Sequence, residues 1–195
     1  MKMDNVFARI GALLCFGAAS GAFAAPTCPS LEGASLESRL EYLRGPRAKL
    51  SQDCVFYAME RLGYGGYAPA VKVLITYLDY RAPEKPGFLK YAHLEWTGSV
   101  YPAGEALFLI GKPAVPGLIE AIADAATPDL VRSNAADVVS AVYRESLVEG
   151  IAVLVRAAHA QADPTSSVRL MDQARRRARE CGSGSIIDCQ DVLIR

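Results

Sequence analysis

The chain is poor in the residues that carry chemistry. It has two histidines and one tryptophan among 195 residues. His93 and His159 stand far in sequence from each other and from every cysteine, and no Cys-x-x-Cys pair occurs, so no zinc-ligand spacing is present. Neither histidine has a nucleophile signature beside it. A phosphate-cradling loop is also lacking: Gly63, Gly65 and Gly66 follow a helical pattern, whereas such loops follow a strand. Net charge is missing as well. Lys and Arg number 21 and so do Asp and Glu, which argues against nucleic acid or an anionic membrane surface as the ligand. No stretch alternates apolar and polar residues long enough to outweigh the helical periodicity. Nothing after the first 24 residues is apolar for long enough to span a bilayer. From these absences no catalytic, cofactor-binding or metal-binding residue is expected, and the chain is read as a non-enzyme.

What is present begins with a leader. Lys2 and Arg9 precede an apolar stretch from Ile10 to Phe16, and Ala22-Phe23-Ala24 has the small-x-small form of a cleavage site. Residues 1–24 are therefore expected to be a signal peptide, cut before Ala25, with 25–195 as a single exported domain. Cys15 is a poor lipid-attachment site because Leu14 before it is large and the cut would fall inside the apolar stretch. A periplasmic or secreted protein, with no membrane insertion after cleavage, is the expectation.

Removing Cys15 leaves Cys28, Cys54, Cys181 and Cys189, an even number that suits disulfides in an exported chain. Count alone leaves the pairing open. The preferred pattern joins Cys28 to Cys54 and Cys181 to Cys189, one clip at each end, where a stack of helices has only one neighbour and frays first.

The body reads as helix throughout. Leu36, Leu40 and Leu43 keep helical spacing until Gly45-Pro46. Ser51 suits an N-cap for a second helix that carries Val55, Ala58 and Leu62 and is expected to end at Gly63. A third begins near Pro69. Between Arg81 and Val100, Pro83, Pro86, Gly87 and Gly98 forbid one continuous helix, while Phe88, Leu89, Tyr91, Leu94 and Trp96 are too apolar for a free linker; a packed irregular insertion is expected there. Regularity returns at Pro102. A helix runs to Gly111, which suits a residue with positive φ, and Pro113 and Pro116 open the next. Thr127 is expected to cap a helix from Pro128, and Ser146 the one after it. Asp163-Pro164 should start a long helix that buries Val168, Met171, Ala174 and Ala178, with a tail from Ile186 to Ile194 folding back as a cap.

The run from Ala106 to Ile122, Ala-Leu-x-x-Ile-Gly-Lys-Pro-Ala-Val-Pro-x-Leu-Ile-x-Ala-Ile, followed by Val131-Arg132-x-x-Ala135-Ala136-x-x-Val139, resembles HEAT repeats, helix-pair units also seen in bacterial HEAT-like and phycobilin-lyase-type repeat proteins. A fainter echo, Met59 to Gly63 and Ala68 to Ile75, lies roughly 45 residues earlier. The resemblance implies an all-α fold, a short α-solenoid of antiparallel helix pairs, interrupted by the insertion near 81–100. It also implies that another protein is bound on a concave helical surface.

Aromatic residues concentrate between Tyr57 and Phe108, and beyond Phe108 only Tyr143 remains. Tyr77 and Tyr80, off the Val71/Leu74/Leu78 stripe, and Trp96 in the insertion are the candidate partner contacts. The alternative for the same rings is to fill the gap where the regular stack is interrupted. Arg175, Arg176, Arg177 and Arg179 read as the solvated face of a helix C-terminus. Three functions are compatible with these features. The first is a scaffold or binding module of the cell envelope. The second is an inhibitor or immunity protein that blocks an envelope hydrolase or toxin. The third is a cell-wall lytic enzyme using Glu145, for which no companion motif is present.

Overall fold

The computed structural model describes residues 28–82, 101–144 and 146–181. The leader, most of the insertion with Trp96, Glu145, Cys189 and the tail lie outside the described residues. Among the described residues the structure is all-helical: eight α-helices, short 3₁₀ segments and turns, and no strand. They are α1 (Leu36–Arg44), α2 (Gln52–Tyr64), α3 (Val71–Ile75), α4 (Pro102–Ile110), α5 (Val115–Ala123), α6 (Asp129–Val142), α7 (Leu147–His159) and α8 (Pro164–Cys181). No single helix among these residues is long and apolar enough to cross a membrane.

Local chemistry accounts for most boundaries. The Ser35 hydroxyl accepts from the Ser38 backbone N–H at 3.1 Å and starts α1. The Ser146 hydroxyl does the same for Glu149 at 3.2 Å and starts α7. The Asp163 carboxylate accepts from the backbone N–H groups of Thr165 and Ser166 and from the Ser166 hydroxyl, at the head of α8. Those bonds, the Ser166 hydroxyl first, hold its pKa below the ordinary value. Gly111 has φ 76°, so the chain leaves α4 through a conformation that disfavours other residues. The segment Lys112–Ala114 is a 3₁₀ turn that absorbs Pro113, and α5 opens only at Val115.

Three expectations are corrected. Gly63 does not end α2; it lies inside the helix, and a Cβ on it would stand 2.7 Å from the Cα of Ala106. Its hydrogen lets α2 and α4 touch backbone to backbone. Thr127 does not cap α6. Pro128 occupies the N-cap position, without a side-chain cap bond, and Thr127 instead contributes its carbonyl, which accepts from Arg132 at 2.7 Å. On α8 the buried stripe is Leu170, Gln173, Ala174, Arg177 and Ala178, while Val168 is 56 % exposed. The helix is rotated because Arg177 turns inward to an ion pair with Asp137 of α6.

The helices form one continuous set of contacts. α4 lies against both α2 and α6, while α5 lies against α3 and α8 and also against α6. α7 covers α6 and α8, and α1 covers α2. One hydrophobic cluster runs from Cys28 to Ala178 through this arrangement. Buried polar side chains tie off free carbonyls. The Asn134 amide donates to the Leu78 carbonyl at 2.6 Å, and the Tyr77 hydroxyl donates to the Leu43 carbonyl, near the end of α1, at 2.8 Å.

Candidate functional site

Of the sequence-derived partner contacts, Tyr77 and Tyr80 are described. Tyr77 is 3 % exposed. Its ring is part of the core cluster, and the Arg47 guanidinium lies 4.7 Å from its centroid. Tyr80 is half-buried, meets Tyr77 edge to face at 6.1 Å, and is covered by the same Arg47 at 5.4 Å. Arg47 in turn pairs with Asp79 at 2.9 Å. Burial pushes the pKa of both phenols up, and the Arg47 charge opposes it. The two rings therefore close the α1–α3 corner, and only the edge of Tyr80 faces outward.

The sulfurs of Cys28 and Cys54 are at disulfide distance, 2.04 Å. Cys28 is 1 % exposed, so the bridge clamps the first turn of the described chain onto α2. The second expected bridge, from Cys181 to Cys189, lies outside the described residues. Arg177 departs from the expected solvated face, whereas Arg175, Arg176 and Arg179 are exposed. His159 is exposed at the end of α7. Among the described residues no three His, Cys, Asp or Glu side chains come together as metal ligands.

Concavity and exposed apolar surface coincide between α2 and α4. Phe56, Glu60 and Tyr64 follow one another at four-residue steps and share a face of α2. Pro102, Glu105, Ala106 and Leu109 share a face of α4. The Gly63–Ala106 contact brings these two faces together and leaves a shallow groove, open to solvent. It is far too shallow to enclose a small molecule. Phe56 and Ala106 form its floor, 4 % and 1 % exposed, and Tyr64 and Leu109 form its rims, 51 % and 36 % exposed. They are two of the few large apolar side chains exposed among the described residues.

Glu60 sits in this apolar setting half-buried. Burial raises its pKa, with the neighbouring Arg61 opposing. The Arg61 guanidinium itself lies over the Tyr57 ring at 5.2 Å. Glu60 has neither a hydrogen bond nor an ion pair with the side chains described around it. The groove thus offers an apolar floor with two carboxylates, Glu60 on α2 and Glu105 on α4, an arrangement suited to side-chain docking.

The sequence does not single out Phe56, Glu60 or Leu109. The only signal is a helical stripe in which a glutamate interrupts aromatic residues, and α4 is separated from it by 37 residues between Tyr64 and Pro102. No protein-family model matches the chain, and no curated protein matches it at a significant level.

Proposed function

We propose that this chain is an exported, non-catalytic protein-binding module of the cell envelope or secreted space, built as a short HEAT-like solenoid. The observation that carries the reading is the α2–α4 groove, where exposed Tyr64 and Leu109 flank a buried apolar floor. The solenoid reading is supported by the two chains of contacts α2, α4, α6 and α3, α5, α8. Export is supported by the leader-like residues 1–24 and by the Cys28–Cys54 bridge, a bond that persists in oxidising compartments.

The test combines localisation and capture. The mature chain should begin at Ala25 by mass spectrometry of the expressed protein. Cross-linking in an envelope extract should recover one protein in stoichiometric amount. Tyr64→Ala with Leu109→Ala should lose that capture while keeping the wild-type helical circular dichroism, because both side chains lie on the surface. Undiminished capture by the folded double variant, or clearing of a peptidoglycan suspension that Glu145→Gln abolishes, would overturn the proposal.

A further inference from the structure

Resting on the reading of the chain as a binding module, we infer that the α2–α4 groove takes a partner segment of defined chemistry: an apolar helix face that carries a lysine or arginine, whose cation pairs with Glu60 between Phe56 and Tyr64. The groove alone would accept any apolar side chain. Glu60 makes it selective.

Phe56 lies one helical turn before Glu60 and Tyr64 one turn after, so the carboxylate is bracketed by rings along α2. Across the groove stand Ala106 and Leu109, with Glu105 beside them as a second, half-buried carboxylate. The Glu60 carboxylate is partly stripped of water, and the Arg61 charge offsets this only in part. The Arg61 guanidinium is itself engaged with the Tyr57 ring. A partner carrying a cation would restore the lost solvation through a charge-assisted hydrogen bond in a partly dry site. A partner carrying a carboxylate would add a like charge there and be rejected. The long methylene stem of lysine or arginine suits the same place, since it can lie along Phe56 and Leu109 while its head reaches Glu60.

The test uses the full mature chain and three synthetic helical peptides. Each has a leucine/alanine face and differs only at one central position, Lys, Gln or Glu. Binding is followed by backbone NMR shifts at Phe56, Glu60 and Leu109. The wild type should bind the Lys peptide about tenfold more tightly than the Gln peptide, and the Glu peptide most weakly. Glu60→Gln should weaken the Lys-over-Gln preference, and Glu60→Gln with Glu105→Gln should erase it, without weakening the Gln peptide. Glu60→Lys, which sets a cation against the remaining Glu105, should remove the preference for the Lys peptide. Equal affinities on the wild type, or shifts located elsewhere, would overturn the assignment. So would concentration-dependent self-association that Glu60→Gln abolishes, since the occupant would then be a second copy. Capture from the envelope extract that depends on Tyr64 and Leu109 but not on Glu60 would refute this inference and leave the binding-module reading standing. Absence of any captured protein would refute that reading separately.

Discussion

Residues 28–82 and residues 101–181 hold their helices together by different means. In the first region the helices are short, and polar or covalent ties do much of the joining. The Cys28–Cys54 bridge fastens the leading turn to α2, the Tyr77 hydroxyl reaches Leu43, and Arg47 lies over both Tyr77 and Tyr80. Arg39 lies over Tyr57 and donates to the Leu31 carbonyl at 3.2 Å. In the second region the helices are longer and the contact residues smaller. α6 buries Ala135, Ala136, Val138 and Val139, and α8 buries Ala174 and Ala178. Small side chains allow close approach, so dispersion between neighbouring rods supplies the cohesion. One ion pair, Arg177 with Asp137, is set into that apolar seam. The difference teaches that short helices, which cannot bury much area each, lean on directional ties, whereas longer ones with small faces add such ties to close packing, as where Ser166 and Arg169 donate to the Ala123 carbonyl. The groove lies on the boundary, with one wall from each region.

Three substitutions would break or sharpen this contrast. The largest effect is expected at Asp137→Ala, which removes the carboxylate paired with the buried Arg177 guanidinium and should cost up to about 3–5 kcal/mol in urea unfolding. Replacing both partners by leucine should recover most of that loss, because the surrounding seam is apolar; a double variant as unstable as the single one would show that the pair organises the region. Next comes removal of the clip. Cys28→Ser with Cys54→Ser opens a loop with a sequence separation of 26 and should cost about 2–4 kcal/mol. Hydrogen exchange should rise in α1 and α2 far more than in α7 and α8, and a uniform rise would erase the distinction between the regions. The smallest effect is expected at Tyr77→Phe, which keeps the ring and Arg47 stacking but leaves the Leu43 carbonyl without its donor, at about 1 kcal/mol. No change in thermal midpoint would mean that the ring alone closes the corner.

Much of the helical skeleton was legible because its signals are local. Gly111, Ser146 and Asp163-Pro164 mark boundaries through backbone conformation or capping bonds that involve residues a few positions away. The errors occurred where a distant partner decided the outcome. Gly63 looked like a terminator because glycine ends helices, yet it is required inside one by Ala106, 43 positions on. The inner face of α8 was misplaced onto Val168 because an arginine run reads as solvated, and only Asp137 on another helix could turn Arg177 inward. For Tyr77 the sequence leaves partner contact and packing both open; the chain turns after Ile75 and carries the ring, 3 % exposed, into the α1–α3 corner.

The sequence by itself determined an all-helical chain with its main stops and starts, since periodicity and caps act within a turn or two of the backbone. The tertiary structure decided which faces meet. It chose Gly63 against Ala106, buried Tyr77, and set Phe56, Glu60 and Tyr64 opposite Leu109. Those choices depend on side-chain volume and charge balance between residues far apart along the chain, and such quantities take a value only once the helices are packed.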